Sequence, residues 1–297
     1  MTVIQWYPGH MAKARRLMEE DIKIVDMSLV VLDARIPLSS YNPDFDRILA
    51  KKPVIMVLNK QDLANAEMTK RWLSYFRKRG LGAVAINAQQ TQGIKDLEKA
   101  IMQTAEPLFA ELEAKGRRRR PVRAMVVGSP NTGKSTLINS LVPKAVSKTG
   151  NKPGVTRGKQ WVRIGEQIEL LDTPGVLWPK FEQHSVALRL AATGAISETV
   201  YDYYQVALEM LDWLRKHGAA QLMARYKLNL PDLQTCPVEE VLAAVGKSRG
   251  LLGAGGVVRE EETARLLLAE FRNGKIGRFT LDELPGVKKD KAEGDAE

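Results

Sequence analysis

One eight-residue string limits this chain more than any other feature. Gly128-Ser-Pro-Asn-Thr-Gly-Lys-Ser135 follows the apolar run Val122–Val127 and opens into Thr136-Leu-Ile-Asn-Ser-Leu141, so it lies where a strand turns into a helix. The pattern G-x-x-x-x-G-K-[ST] occurs by chance in about one chain in a hundred of this length, and the strand-to-helix setting lowers those odds further. Its glycines let successive backbone N–H groups and a helix N-terminus converge on one anion. Asn131, Thr132, Gly133, Lys134, Ser135 and Thr136 are therefore candidate nucleotide-binding residues. Lys134 is placed to reach the outer phosphates, and the Ser135 hydroxyl to bind magnesium. The bland alternative, a glycine-rich surface turn, does not explain the lysine and hydroxyl at these positions.

The rest of the chain supplies a sheet for this loop. Met27–Leu32 ending at Asp33, Val54–Leu58 ending at Asn59, and Ala83–Ile86 ending at Asn87 are short apolar runs that close on polar residues. Helical segments separate them at 42–50, 67–79 and 93–114. The alternation predicts a parallel α/β sheet covered by helices on both faces. Gln160–Ile164 and Gln167–Leu171 read as a hairpin turning at Gly165-Glu166, and the second run ends in Asp172-Thr-Pro-Gly175. Every special residue thus falls at the carboxyl end of a strand, where open α/β sheets bind ligands.

From about residue 180 the pattern becomes helical. Val206, Met210 and Leu214 share one face, as do Val238, Val241, Leu242 and Val245, and Ala264, Leu267, Leu268 and Phe271. The expected domains are 1–179, with a leader over 1–25, then a small helical domain over 180–286 and a disordered tail over 287–297. Within the leader the spacing predicts a helix from Lys13 to Ile24, after turn chemistry at Tyr7-Pro8-Gly9.

Two further strings refine the site. Asp172 is the expected acidic partner of magnesium, with Gly175 beside the γ-phosphate. Thr156, in Lys152-Pro-Gly-Val-Thr-Arg-Gly158, lies between the two motifs and reads as a second hydroxyl on the metal. Asn59-Lys-Gln-Asp62 selects the base. Guanine presents two adjacent N–H donors on one edge, which the Asp62 carboxylate accepts as a pair, whereas adenine would leave that carboxylate unpaired. Lys60 lays its stem along the base and Asn59 braces neighbouring loops. Asn87-Ala88-Gln89 closes over the same base through the Ala88 backbone N–H.

The order of these strings is unusual. In ordinary guanine-nucleotide switches the phosphate loop precedes the base-reading box; here 59–62 comes before 128–135, and 172–175 comes last. The pieces form a circular permutation of one sheet, joined through the arginine-rich stretch around 115–121. A charge run there is first a solvated linker and only second an RNA contact.

Together, Trp6-Tyr-Pro-Gly-His-Met11, Asp33-Ala-Arg-Ile-Pro37, NKQD, GSPNTGKS, PGVTRG and DTPG, in this order, resemble the circularly permuted GTPases, and within them the ribosome biogenesis GTPase A family, over nearly the whole chain. The resemblance implies a P-loop GTPase fold, circularly permuted, followed by a small all-helical domain. It also implies a GTP- and GDP-binding, magnesium-dependent enzyme that docks on the large ribosomal subunit and its rRNA late in assembly. Asn87 departs from the pattern, where serine is more usual. Asn131 matches the asparagine that holds K⁺ in related potassium-dependent GTPases. Val176 stands where many switches carry a water-orienting glutamine, and it cannot hold a water. His10, which matches a histidine thought to be used by the family, is the candidate catalytic residue; its bland alternative is an exposed side chain on a stapled leader.

The net charge of +10 suits a polyanionic partner. The single cysteine, Cys236, allows no internal disulfide. No apolar run reaches membrane-span length and no signal-type leader is evident, so a cytoplasmic monomer with no membrane and no DNA partner is expected. One rival, an ATP-driven phosphotransferase on the same loop, is opposed by NKQD. A second is a nucleotide-gated RNA-binding scaffold in which hydrolysis is incidental.

Overall fold

The computed structural model describes residues 10–142, 161–178, 183–228 and 233–286. Six strands form one sheet: β1 (Met27–Asp33), β2 (Val54–Asn59), β3 (Gly82–Ala85), β4 (Val122–Val127), β5 (Trp161–Ile164) and β6 (Ile168–Asp172). Their order is β3-β2-β1-β4-β6-β5. The ladders are parallel throughout except for the β5–β6 hairpin. The hairpin turns at Gly165, whose φ of 56° favours glycine.

Burial on both faces explains the apolar runs. All seven residues of β1 are buried, and alternate side chains serve two separate cores. Met27, Leu29 and Val31 join Ile55, Val57 and Val126 against α4 (Ile94–Ala114) and α5 (Lys134–Leu141). Val30 and Leu32 join Met56, Leu58 and Val127 against α1 (His10–Asp21), α2 (Asp44–Leu49) and α3 (Ala66–Lys78). The helix expected from Lys13 begins three residues earlier, directly after Pro8-Gly9, and ends at Asp21.

A third core belongs to the helices α6 (His184–Ala192), α7 (Tyr203–His217), α8 (Ala219–Tyr226), α9 (Val238–Ser248) and α10 (Glu260–Arg272). The predicted stripes Val206–Met210–Leu214, Val241–Leu242–Val245 and Ala264–Leu267–Leu268–Phe271 are buried within it, and Val238 is partly buried against it. Ile36 and Leu177, from loops at the top of the sheet, are buried in the same core. After α10 the chain returns to the sheet. Phe279 N–H donates to the Leu63 carbonyl at 3.2 Å and Leu281 N–H to the Arg35 carbonyl at 2.7 Å. Asp282 accepts from the N–H groups of Leu38 and Ser39, both at 2.7 Å. Residues 279–284, which the sequence groups with the helical part, therefore run along the sheet-bearing part. The expected tail over 287–297 lies outside the described residues.

The permutation joint is anchored. Arg120 forms a two-pronged pair with Asp26, 2.8 Å in each arm, and Arg119 pairs with Glu113 at 2.6 Å. Those two arginines serve the linker.

Candidate functional site

The sheet order places the site. From β1 the chain crosses to β2 on one side, while β4 sits on its other side and continues to β6. Where the order diverges, between β1 and β4, a crevice opens at the carboxyl ends of the strands. Asp33, Asn59 and Asp172 are the last residues of β1, β2 and β6, and Gly128 follows β4 directly.

Direct bonds build the base-reading corner. Asn59 Nδ2 donates to the Thr132 carbonyl at 2.8 Å, and its Oδ1 accepts from the Ala88 N–H at 3.1 Å. One side chain thus ties the phosphate loop to the 87–89 loop, as expected of a brace. The Ala88 N–H expected to face the base donates to Asn59 here, so a base would share or replace that bond. Asn87 Oδ1 accepts from the Gln89 and Gln90 N–H groups at 3.0 and 3.2 Å, an Asx turn that an asparagine completes with its own carbonyl. Lys60, with φ of 61°, extends over the phosphate loop and donates to the Asn131 carbonyl at 2.7 Å and to Asp33 at 2.9 Å. Asp62, Asn59, Lys60, Asn87, Gly133 and Thr136 line one cavity of about 310 Å³.

Beneath this corner lies a pair to which the sequence reading gave no role. Arg35 grips Asp33 through Nε at 2.9 Å and Nη2 at 2.7 Å, and both side chains are almost fully buried. Burial by itself would raise the Asp33 carboxyl, but the charges and hydrogen bonds of Arg35 and Lys60 outweigh it and hold the group well below the usual carboxylate range. The sequence signals are an acidic residue closing an apolar strand, two residues before an arginine, and the place of both in the Asp33-Ala-Arg-Ile-Pro37 string that carries part of the family resemblance.

In the phosphate loop, two glycines are forced. A Cβ at Gly128 would lie 2.4 Å from the Val31 carbonyl, and one at Gly133 would lie 2.2 Å from Asn59 Nδ2. Asn131 adopts φ of 57°, which asparagine tolerates better than most residues, and its Nδ2 donates to the Gly194 carbonyl at 2.7 Å. Lys134 is buried; its Nζ donates to the carbonyls of Gly128 at 3.2 Å and Ser129 at 2.9 Å. Burial lowers its pKa to about 8, and the nearby Asp172 charge opposes that fall. Gly175 packs so closely that a Cβ would meet Lys134 Nζ and Pro130 Cα at 2.8 Å.

Asp172 Oδ1 is buried and has no hydrogen-bond partner among the described residues. Burial raises its pKa, against the pull of Lys134. An orphaned carboxylate oxygen near the exposed Ser135 hydroxyl is a hard-oxygen donor set that fits magnesium. Thr156 lies outside the described residues. Val176 and Leu177 are buried at 4% and 2% exposure, in different cores.

A larger cavity, about 1030 Å³, is lined by Lys134, Ser135, Asp172 and Gly175 together with Lys13 and Leu17 of α1. The leader helix therefore passes the phosphate side of the site, as the permuted order suggests. His10 is its first residue, and the His10 side chain is not among those described.

This fold and crevice define a P-loop GTPase whose parts are circularly permuted. A family model described as 50S ribosome-binding GTPase matches residues 123–229. The chain is 47% identical over 281 residues to ribosome biogenesis GTPase A of Bacillus cereus, covering 94% of each protein. It is 33% identical over 297 residues to mitochondrial ribosome-associated GTPase 1 of Mus musculus, covering 94% and 90% of the two chains. Among solved structures, GDP-bound YlqF of Thermotoga maritima is similar with a TM-score of 0.65 and 26% identity, over 90% of this chain and 99% of that one. The chain belongs to the ribosome biogenesis GTPase A family: it binds GTP and GDP and hydrolyses GTP. No helix among the described residues is long and apolar enough to cross a membrane.

Proposed function

We propose that this GTPase is an assembly factor of the large ribosomal subunit, slow when free and accelerated by the ribosomal particle, acting in the cytoplasm as a monomer. The observation that carries the slow intrinsic rate is the burial of Val176 and Leu177, which leaves the position after the DTPG turn without a group to hold the attacking water. The particle itself is inferred from the match of residues 123–229 to the 50S ribosome-binding GTPase family model and from the net charge of +10.

Under this proposal each residue has a role. Asp62 accepts the paired N–H donors of guanine, Lys60 covers the base with its stem, and Asn59 fixes the loops around it. Backbone N–H groups from Asn131 to Thr136 and the Lys134 ammonium hold the phosphates, and Gly175 lies where the γ-phosphate ends. Ser135, Asp172 and Thr156 hold magnesium, which neutralises developing phosphate charge when bound. The Asn131 amide spends its nitrogen on Gly194 and keeps its oxygen for K⁺. His10 orients the attacking water once the particle positions α1, a role supported by the run of that helix along the phosphate cavity. A second reading, an RNA-binding scaffold with incidental hydrolysis, is favoured by the same burial of Val176.

GTP turnover in KCl, with and without isolated large subunits, tests the proposal. Stimulation on the order of 10³–10⁵ is expected, smaller in NaCl, and largely lost in His10→Ala. Fast turnover by the free protein with no gain from particles would overturn it. Particle-stimulated turnover that survives His10→Ala would remove that residue from the mechanism.

A further inference from the structure

We propose that the helical part of the chain supplies a wall of the guanosine pocket, and that Asn273 contacts the nucleoside directly. The inference rests on the reading that the Asp62 corner holds guanine. The cavity lined by Asn59, Lys60 and Asp62 is also lined by Thr193, Arg272 and Asn273. These last three lie at the C-terminal ends of α6 and α10, some 80 residues apart in sequence.

The wall is built in. Arg35 reaches from the end of β1 to the carbonyls of Arg272, at 3.2 Å, and Thr193, at 3.5 Å. Asn131 of the phosphate loop holds the Gly194 carbonyl at 2.7 Å. Arg272 locks the two helices together, donating to the carbonyls of Ala192 at 3.1 Å and Ala191 at 3.0 Å. Gly274, in the left-handed region at φ of 69°, sits so near the base loop that a Cβ would meet Leu63 Cδ2 at 2.8 Å. Five carbonyls at or just past helix ends are thus capped by side chains that also frame the nucleotide site, an arrangement that satisfies their partial negative charge.

Asn273 is the exposed member of the wall. Its Nδ2 gives one of its two N–H groups to the Ala269 carbonyl at 2.9 Å, which leaves the second N–H and the amide oxygen to offer. An acceptor there suits a donor on the nucleoside, either the exocyclic amine or a ribose hydroxyl. By linkage, a nucleoside that touches this wall tightens the docking of the helical part by the same factor that docking tightens nucleoside binding.

Calorimetric titration of the full chain with GDP and with pyrophosphate provides the test, alongside the melting temperature of each nucleotide-free variant. Asn273→Ala is expected to bind GDP about 5-fold more weakly, as for one neutral hydrogen bond. Asn273→Phe, which fills the cavity, is expected to bind GDP at least about 10-fold more weakly, because the base must displace it. Pyrophosphate needs only the phosphate loop, so its affinity and the melting temperature stay at the wild-type values. GDP affinity unchanged in both variants, while Asp62→Ala loses it, would overturn the wall and leave the guanine corner standing. Equal losses of GDP and pyrophosphate would also overturn it, as general distortion. GDP binding that survives Asp62→Ala would instead sink the guanine reading on which the wall rests.

Discussion

The base-reading and phosphate-holding halves of the crevice are finished to different degrees. In the base half, Asn59 has both ends of its amide bonded, Asn87 closes its own turn, and Lys60 spans from Asp33 to the Asn131 carbonyl. In the phosphate half, Asp172 keeps a buried oxygen without a hydrogen-bond partner among the described residues, and the Lys134 ammonium is occupied by carbonyls of its own loop. The difference follows from what each half recognises. A planar base is read by fixed hydrogen-bond geometry, which must be rigid before the ligand arrives. A triphosphate with magnesium brings charges of its own, and the groups that meet them are shaped to bond that ligand rather than one another.

Three substitutions sharpen or break this contrast. Asp62→Ala has the largest expected effect, because a rigid reading corner owes its selectivity to that carboxylate. The preference for GTP over ATP, measured as a ratio of dissociation constants, should fall by about 10⁴. A ratio that stays high would move base selection elsewhere. Next comes Arg35→Ala, which leaves Asp33 buried with Lys60 as its remaining charged partner. Denaturant unfolding should show a loss of about 3–5 kcal/mol, and adding Asp33→Asn should recover part of it.

That pair also sets a pH window. The Asp33 carboxyl is depressed in the folded chain, so its contribution is present above the unfolded-chain value of about 3.9 and is lost as pH falls below that value toward its folded one. The stability gap between wild type and Asp33→Asn should therefore be full at neutral pH and shrink below about pH 4. The smallest effect belongs to Asp172→Asn. Its apparent magnesium affinity in GTP hydrolysis should fall about 10- to 100-fold, with GDP binding in chelator little altered. An equal loss of both would mean that the two halves are not separable.

Much of this was legible in the sequence, and the reason is local. The phosphate loop, NKQD and DTPG are contiguous strings at the ends of apolar runs, so the strand that carries each one also aims it. The six strand runs were legible because a sheet buried on both faces demands largely apolar stretches. Contacts between distant segments left no such trace. Nothing near Arg272 marks it as a neighbour of Ala191 or Arg35, because a helix C-terminus is capped by whichever donor the tertiary fold brings up. The bond from the Ala88 N–H to Asn59 was likewise not legible, because the two lie 29 residues apart. The strap over 279–284 has no hydrophobic period to announce it. Its anchor is a buried aspartate, Asp282, held by two N–H groups and the Ser39 hydroxyl.

That strap has a mechanical consequence. A body joined to its base at one point swings through a cone, whereas one joined at two points rocks about the line between them. The helical part is joined at Leu177, where the chain enters its core, and again where Leu281 and Asp282 lie across the loop after β1. With those two joints held, the freedom left to the helical part is rocking about the line between them, and Gly194, bonded to Asn131, is where such rocking would press on the phosphate loop.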